Sequence, residues 1–232
     1  MMIDEELQKE LKKNKFIVIG EFHGVKENIT IIKNFLTFFF QQKIPINFAM
    51  EWPKDLTKEI NKYLKGKIKL NWRSWKFSTS PDGRISKEHL GFIRWLKKRK
   101  INFYCIDEGS PKNETWAYWN DRDKKMAKNI MKIKKDKIIV LMGRLHSRTD
   151  RFKSKFISKT KFNNPAGYYL PKNKTLSICL RYAYGKTYNC GIKNINDKIK
   201  KPKNDFLIRK LRKKGYDYEI IIKHAHPVTI LN

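Results

Sequence analysis

Short apolar runs that lead into an acidic residue or a histidine recur along this chain, and this pattern limits the fold more than any other feature. The run Phe16–Ile19 precedes a Gly-Glu-Phe-His-Gly motif at 20–24, and the run Ile138–Met142 precedes a Gly-Arg-Leu-His motif at 143–146. Both runs are rich in β-branched residues and are too short for a core helix. They therefore predict buried strands with ionisable side chains at their ends.

Two further runs follow the same rule. Ile46–Met50 leads into Glu51, and Ile101–Ile106 leads into Asp107. Because parallel strands share one edge at their carboxyl ends, where open α/β folds place the ligand crevice, we expect these groups to meet at one site. A single carboxylate after a strand is equally well explained by a solvated loop, but four strand ends together favour a site. Its predicted members are Glu21, His23, Glu51, Asp107 and His146.

A fifth apolar run, Tyr218–Ile222, lies near the end of the sequence and leads into Lys-His-Ala-His at 223–226. By the same reasoning, this run predicts a further strand. His224 and His226 then become candidate supporting members of the site.

Amphipathic segments between the runs predict helices. An apolar stripe extends over 29–39, a second helix begins at the cap residue Ser86 and ends in the basic segment 97–100, and a third covers about 121–135. Alternation of strand and helix is typical of right-handed crossovers and a parallel sheet. The predicted fold class is α/β, a mainly parallel sheet flanked by helices, with the site at the carboxyl ends of the strands.

The length of 232 residues suits a single α/β domain over 1–232. An aromatic-rich insertion is predicted near 53–85, where the aromatic side chains either line a pocket or form a satellite core, the commoner use of tryptophan. These aromatic residues are Trp72, Trp75 and Phe77. A long loop is predicted near 147–175, beside the second histidine, where loops over the sheet edge set specificity.

The net charge of +31, from 53 Lys and Arg against 22 Asp and Glu, would attract nucleic acid, acidic lipid or anionic substrates. The basic residues are nevertheless spread along the chain, and the sequence has no RNP string, zinc finger or basic region with heptads. A general bias toward lysine explains the charge equally well. Binding of nucleic acid or an acidic surface by charge alone therefore stands as an alternative function, beside recognition of a small-molecule or anionic substrate.

No run approaches the roughly 20 apolar residues of a membrane span, so no span is predicted. The first residues, Met-Met-Ile-Asp-Glu-Glu, lack the basic and apolar parts of a secretory signal, which predicts a cytoplasmic protein. The three cysteines are odd in number and lack zinc-binding spacing, so neither a disulfide framework nor a zinc finger is predicted.

The residue types at the strand ends support two chemistries. A histidine held by Glu21, Glu51 or Asp107 can act as a general base, because the carboxylate fixes its tautomer and raises its basicity. Alternatively, Glu21, His23 and His146 hold a divalent metal ion that lowers the pKa of a bound water. Serine hydrolases and nucleotide-dependent enzymes lose support, because neither a Gly-x-Ser-x-Gly elbow nor a glycine-rich phosphate loop occurs.

Ordered motifs connect the chain to a known superfamily. The motif at 20–24 is followed by Glu51, by Arg-Asp-x-x-Met-Ala-x-Asn at 122–129 and by Gly-x-x-His at 143–146. In order and spacing, this set resembles the superfamily that joins erythromycin esterases, ChaN-like haem-binding proteins, and the Tiki and TraB proteins. The resemblance extends over residues 16–230.

The resemblance implies a mainly parallel sheet in which the two histidine motifs meet at the active or ligand site. It implies functional roles for four residues and supporting roles for others, of which the two late histidines are less securely matched. The functional residues are Glu21, His23, Glu51 and His146, and the supporting residues are Arg122, Asp123, His224 and His226. Arg122 presents a fixed fork to a carboxylate or an anionic intermediate.

Members of the superfamily range from ester hydrolysis of macrolides, through metal-dependent peptide cleavage, to haem binding without catalysis. The leading prediction is a hydrolase of an ester, amide or similar bond, with His23 as general base or metal ligand, oriented by Glu21 and Glu51. The alternative is a ChaN-like protein that binds haem or another flat cofactor without catalysis. A divalent metal ion and haem are therefore the two candidate cofactors.

Overall fold

An eight-stranded sheet forms the centre of the computed structural model, which describes residues 3–75, 82–109, 116–134, 136–151, 164–211 and 215–231. The strands are β1 (Phe16–Glu21), β2 (Ile46–Pro53), β3 (Phe103–Asp107), β4 (Lys137–Gly143), β5 (Thr175–Tyr188), β6 (Ile192–Asn194), β7 (Phe206–Lys210) and β8 (Tyr218–Ala225). The helices are α1 (Glu5–Lys13), α2 (Lys26–Gln41), α3 (Leu56–Leu64), α4 (Lys87–Arg99) and α5 (Trp116–Lys132).

The strand order is β3-β2-β4-β1-β5-β8-β7, with β6 paired to β5 outside this path. Strands β3, β2, β4, β1, β5 and β8 run parallel, whereas β7 is antiparallel to β8 and β6 is antiparallel to β5. The predicted α/β fold with a mainly parallel sheet is therefore confirmed. Strand β4 lies between β1 and β2, so that Gly143 pairs in register with Glu21, and Leu141 with Met50.

Helices cover both faces of the sheet. Within β1, Ile17 and Ile19 belong to the larger core, with α1 to α4, whereas Phe16 and Val18 belong to the smaller core, with α5. This alternation is the two-residue period of a strand, and burial on both faces explains why the strand reads as a continuous apolar run. The chain runs outward from β1 to β2 and β3 and then returns to β4, so right-handed crossovers place α5 on the opposite face.

Local chemistry sets the helix ends. Ser86 caps α4 as predicted, because its Oγ accepts a hydrogen bond from the His89 N–H at 3.3 Å. The helix stops at Lys100, which is left-handed with φ 55°. Helix α5 begins at Trp116, earlier than the predicted residue 121. The first turn reads Trp-Ala-Tyr-Trp at 116–119 and lies before the stripe of Met126, Ile130 and Ile133 on which the predicted helix was based.

The aromatic-rich insertion contains regular structure that its sequence did not predict, namely α3 and a short 3-10 turn at Trp72–Ser74. Trp75 is buried, and its ring meets that of Trp52 edge-to-face at 5.9 Å. Its Nε1 donates to Glu59 Oε1 at 2.8 Å. Packing, rather than a pocket, therefore explains Trp75. The predicted aromatic residue Phe77 lies outside the described residues.

The predicted long loop contains two short 3-10 turns in its described part, Ala166–Tyr169 and Lys172–Lys174. Residues 152–163 of this loop lie outside the described part of the chain. Among the helices that the structure describes, none combines the length and the apolar character needed to cross a bilayer.

Candidate active site

Polar side chains from four adjacent strand ends and from α5 form a buried cluster at the carboxyl edge of the sheet. Strands β1, β2 and β3 end in or contain Glu21, Glu51 and Asp107, and the turn after β4 carries His146. The acidic members and Arg122 of α5 are each at most 4% exposed. Charged groups are this deeply buried only when they are paired, so the cluster is defined by its pairs.

Glu21 holds His23 in a fixed orientation. The Glu21 Oε1 atom is 2.9 Å from His23 Nδ1, and Oε2 accepts from Asn28 Nδ2 at 2.6 Å. The Asn28 Oδ1 atom in turn accepts from the Tyr182 hydroxyl at 2.7 Å. An ionised carboxylate can only accept, so it selects the tautomer with the proton on Nδ1 and leaves His23 Nε2 for other partners.

A second carboxylate–histidine pair lies opposite. Both oxygens of Asp123 are 2.9 Å from His146 Nδ1, and Asp123 Oδ1 also accepts from the Ala166 N–H at 2.7 Å. The Nε2 atom of His146 is 3.4 Å from Arg122 Nη1 and 3.8 Å from Glu51 Oε1. The ring lies nearly parallel to that of Trp119, with 6.0 Å between centroids. His146 is therefore fixed by a carboxylate on one side and a ring on the other.

The two histidines approach each other at Gly143, the last residue of β4. A Cβ atom built on Gly143 would lie 3.3 Å from His23 Nε2, 3.3 Å from His146 Cδ2 and 3.5 Å from Glu51 Oε2. One point in space is thus close to both imidazoles and to a carboxylate. The predicted meeting of the motifs at 20–24 and 143–146 is present in the fold, because β4 lies directly beside β1.

Arg122 joins the remaining carboxylates. Its Nε and Nη2 donate to the two oxygens of Asp107 at 2.8 and 2.6 Å, and Nη2 also donates to Glu51 Oε1 at 2.8 Å. The Gly143 N–H donates to Glu51 Oε2 at 2.8 Å, and Arg84 Nη1 lies 3.4 Å from Glu51 Oε1. Glu51 was predicted to orient His23. Instead, Glu51 is hydrogen-bonded to Arg122 and to the end of β4.

The surroundings of the ionisable groups shift their pKa values in different directions. Burial would raise the pKa of Glu51, but the positive charges of His146 and Arg122 outweigh burial and hold that pKa well below its usual range. Burial would lower the pKa of His146, but the Asp123 and Glu51 carboxylates outweigh it and raise that pKa. Burial raises the pKa of Glu21 and of Asp123, partly offset by their histidine partners. His146 is thus favoured in its imidazolium form.

An open pocket of about 440 Å³ gives access to this cluster. Its described lining residues are Glu21, Phe22, His23, Gly143, Arg144, Leu145, His146 and Asn189. Leu145 is 46% exposed and offers an apolar contact. Arg144 Nη1 donates to both oxygens of Asp197 at 2.9 and 2.8 Å, which fixes a cation at the pocket wall. The pocket therefore combines two imidazoles, a guanidinium and an apolar surface.

The glycines of the first motif are explained by close approach of other backbone segments. Gly24 has φ +77°, and a Cβ on it would lie 1.9 Å from the Tyr188 carbonyl oxygen. A Cβ on Gly20 would lie 2.1 Å from Ser147 Oγ and 3.2 Å from the Arg144 Cα. Glycine at 20 therefore lets β1 approach the turn that carries His146.

Gly20→Ala is expected to lower the free energy of unfolding by about 1–3 kcal/mol, because the added methyl overlaps the buried Ser147 side chain. Urea unfolding of the purified variant measures this change. The double variant Gly20→Ala with Ser147→Gly removes the overlapping atoms and should recover part of the lost stability. Equal stability of Gly20→Ala and the parent chain would contradict the close approach.

The three residues predicted as metal ligands are not arranged as a ligand group. Within the described ranges, no three His, Cys, Asp or Glu side chains are placed to hold a metal ion. Both oxygens of Glu21 are directed at His23 and Asn28, and His146 Nδ1 is directed at Asp123. The metal set of Glu21, His23 and His146 stays a prediction, and in the structure the Glu21 oxygens and His146 Nδ1 bond to protein partners.

His224 and His226 do not join this pocket. They follow β8, which is separated from β1 by β5, and they line a second pocket beside Tyr184. The strand order therefore moves them along the sheet edge, away from the cluster. Conversely, Asn28 and Tyr182 could not be selected from the sequence, because an asparagine on a helix and a tyrosine in a strand have no distinctive spacing.

Comparison with solved structures identifies proteins that have a similar fold. A Bacillus cereus protein matches 98% of this chain and 93% of its own, with a TM-score of 0.78 and 11% identity. An erythromycin esterase in an open conformation matches 98% of this chain and 95% of its own, with a TM-score of 0.68 and 9% identity. The haem-binding ChaN of Campylobacter jejuni matches 96% of this chain and 92% of its own, with a TM-score of 0.56 and 15% identity.

At these identities the likeness concerns the fold. No protein-family model matches the sequence, and no curated protein matches it either. The structural neighbours nevertheless include both kinds of protein that the ordered motifs resembled, a haem-binding protein and an esterase. The chain therefore shares its α/β fold with the solved structures of ChaN and of erythromycin esterase.

Proposed function

We propose that this protein hydrolyses an ester, amide or similar bond of a small molecule in the pocket between His23 and His146. The proposal rests on one observation, the convergence of two carboxylate–histidine pairs at the end of β4. His23 Nε2 and His146 Cδ2 each lie 3.3 Å from the same point above Gly143. Pairs of titratable groups with different environments are typical of acid–base catalysis.

In this reaction His23 acts as the general base. Glu21 holds Nδ1, and Nε2 accepts a proton from water while the water oxygen attacks the carbonyl carbon. The bond to the leaving group then breaks, and the leaving oxygen or nitrogen takes a proton from His146. The raised pKa of His146 suits this role, because the Asp123 and Glu51 carboxylates favour the protonated ring more than solvent favours that of a free histidine. The products are a carboxylic acid and an alcohol or amine.

Water is the nucleophile in this scheme. The described residues that line the pocket include no serine, threonine or cysteine. Arg144 and the His146 imidazolium supply positive charge toward an oxyanion, and Leu145 contacts the apolar part of the substrate. Asp107 and Arg122 lie behind the pocket wall and act by holding Glu51 and the end of β4 in place.

The test is turnover of model substrates by the purified protein. We expect hydrolysis of at least one of p-nitrophenyl acetate, p-nitrophenyl butyrate, a macrolactone and an amino acid p-nitroanilide. The exposed Lys128→Ala variant, on α5 away from the pocket, is the matched control for purification and should hydrolyse at the same rate. Assays with and without a chelator test the metal-assisted alternative. The absence of turnover for every substrate would contradict the proposal.

Asp123→Asn is expected to move the alkaline limb of the pH–rate profile to lower pH. The Asp123 carboxylate favours the His146 imidazolium, so its removal lowers the His146 pKa, and the acid form is lost earlier as the pH rises. The pH dependence of kcat/KM for the two proteins measures the shift. An alkaline limb at the same pH in both proteins would contradict the assignment of His146 as the acid.

Haem binding is the second candidate, supported by the likeness to ChaN and by the exposed Leu145 beside two histidines. Imidazole nitrogen is a common axial ligand of haem iron. Titration with haem, followed by the Soret band, tests this candidate. A Soret shift that is lost in His23→Ala or His146→Ala would support it, whereas an unchanged haem spectrum would contradict it.

A further inference from the structure

The second pocket on the carboxyl side of the sheet lies at the ends of β5 and β8, next to the short strand β6. Its volume of about 650 Å³ exceeds that of the candidate active site. The backbone connects the two pockets at Gly24, the residue after His23. The Gly24 carbonyl oxygen accepts hydrogen bonds from the N–H groups of Tyr188 and Val228 at 3.1 and 3.0 Å. The two pockets are neighbours but have different lining residues.

Hydrogen-bond donors dominate the polar lining of this pocket. Lys186, Asn194, Asn196, His224 and His226 contribute polar side chains, and none of the described lining residues is acidic. The Lys201 ammonium lies 4.4 Å from the centroid of the Tyr184 ring, which also lines the pocket. A cavity whose described lining is rich in amides, imidazoles and ammonium groups is complementary to an anion, although the Glu27 carboxylate that binds His226 offsets part of the positive charge.

The two histidines are exposed, but contacts with neighbouring side chains hold them in place. The His224 ring stacks on Tyr184, with 4.6 Å between centroids and 22° between planes, and lies 4.3 Å from the His226 ring. His226 Nδ1 is 2.7 Å from Glu27 Oε1, and the Glu27 Oε2 atom accepts from the His226 N–H at 3.0 Å. With Nδ1 engaged by Glu27, His226 Nε2 is the nitrogen available to a ligand.

We propose that this second pocket binds a phosphate monoester, with the phosphate between the imidazoles and the lysines. Phosphate oxygens accept hydrogen bonds from Lys186, Lys201 and the asparagine amides, and they exchange hydrogen bonds with the His224 and His226 nitrogens. The edges of the stacked Tyr184 and His224 rings offer apolar contacts to the organic part of the ligand. The high positive charge of the chain adds long-range attraction for such a ligand.

This site is independent of the proposed hydrolase. None of its lining residues lines the candidate active site, and it has no role in the acid–base scheme. The pair His224 and His226 thus gains a function different from the predicted supporting role. The same phosphomonoester group occurs in soluble metabolites and in the headgroup of phosphatidic acid, so the experiment compares both sources.

Isothermal titration of the full chain with inorganic phosphate, phenyl phosphate and vesicles containing phosphatidic acid tests the proposal. We expect saturable binding of phenyl phosphate with one ligand per chain, weakened about tenfold in Lys201→Ala and in His224→Gln by loss of a charged or polar contact. Lys128→Ala removes one exposed lysine elsewhere and is the matched control. His23→Ala distinguishes this pocket from the candidate active site, and unfolding curves confirm that each variant is folded.

Retained binding in Lys128→Ala and His23→Ala, together with weakened binding in the two pocket variants, would support the site. Preference for phenyl phosphate over the vesicles would identify a soluble ligand, and the reverse preference a lipid headgroup. Three outcomes would overturn the proposal. These are binding that weakens equally in all lysine variants, binding that is lost in His23→Ala, and the absence of saturable binding to any probe.

Discussion

His23→Ala is expected to lower kcat/KM for ester or amide hydrolysis by roughly 10²–10⁴-fold, the usual contribution of a general base. The imidazole is fixed by Glu21 at 2.9 Å, and its Nε2 atom faces the point where it meets His146. Its removal therefore deletes the proton acceptor without emptying the buried cluster behind it. Steady-state kinetics on the model substrate with the best turnover measure the change.

Two further measurements separate a catalytic role of His23 from a purely structural one. The side chain is 19% exposed and Glu21 keeps its hydrogen bond from Asn28, so His23→Ala should lose much less stability than Arg122→Met. Added imidazole should enter the vacated space and restore part of the rate, because a small base can replace the missing one. A loss of less than tenfold, or a loss that follows stability and is not rescued by imidazole, would contradict the assignment of His23 as the base.

Arg122→Met is expected to lower the free energy of unfolding by about 3–5 kcal/mol, the usual effect of removing one partner of a buried ion pair. The Arg122 guanidinium is 2% exposed and contacts Glu51 and Asp107, each about 3% exposed. Methionine fills similar space but leaves both carboxylates without their main cation. Arg84, 3.4 Å from Glu51 and 3.8 Å from Asp107, remains and offsets part of the loss.

The difference between Arg122→Met and the parent chain should be largest at neutral pH. Glu51 has a lowered pKa in the folded protein, so its ion pairs stabilise the fold above the ordinary pKa of 4.5. This stabilisation disappears as the pH falls through the lowered pKa. Urea unfolding at neutral and acidic pH measures the difference.

Matched variants separate charge from volume in the Arg122 experiment. The exposed Arg94→Met on α4 should change stability by less than about 0.5 kcal/mol. Adding Glu51→Gln and Asp107→Asn to Arg122→Met removes the uncompensated charges and should recover part of the lost stability. A small effect of Arg122→Met at neutral pH, similar to that of Arg94→Met, would contradict the role assigned to the buried guanidinium.

The sequence by itself determined the parts of the fold that depend on local patterns. Strands β1 to β4 are short apolar runs, rich in β-branched residues in β1 and β4, and each leads into a polar residue, so these strands were identified correctly. The start of α4 follows from the Ser86 cap in the same way. The start of α5 was placed too late because the prediction relied on the apolar stripe at 126–133 and did not extend it back to the aromatic segment at 116–119.

The tertiary structure alone decided which of these groups contact each other. The sequence suggested that Glu51 orients His23, but the insertion of β4 between β1 and β2 gives Glu51 to Arg122 and to Gly143. It also pairs Asp123 with His146.

The same limit applies to the residues that the sequence did not select. The Tyr182 hydroxyl contacts Asn28 across a separation of 154 residues, which no local spacing encodes. His224 and His226 lie at a second pocket because β5 separates their strand from β1. A periodic pattern reports which face of one element is buried, whereas a hydrogen bond depends on the strand order that brings distant side chains within 3 Å of one another.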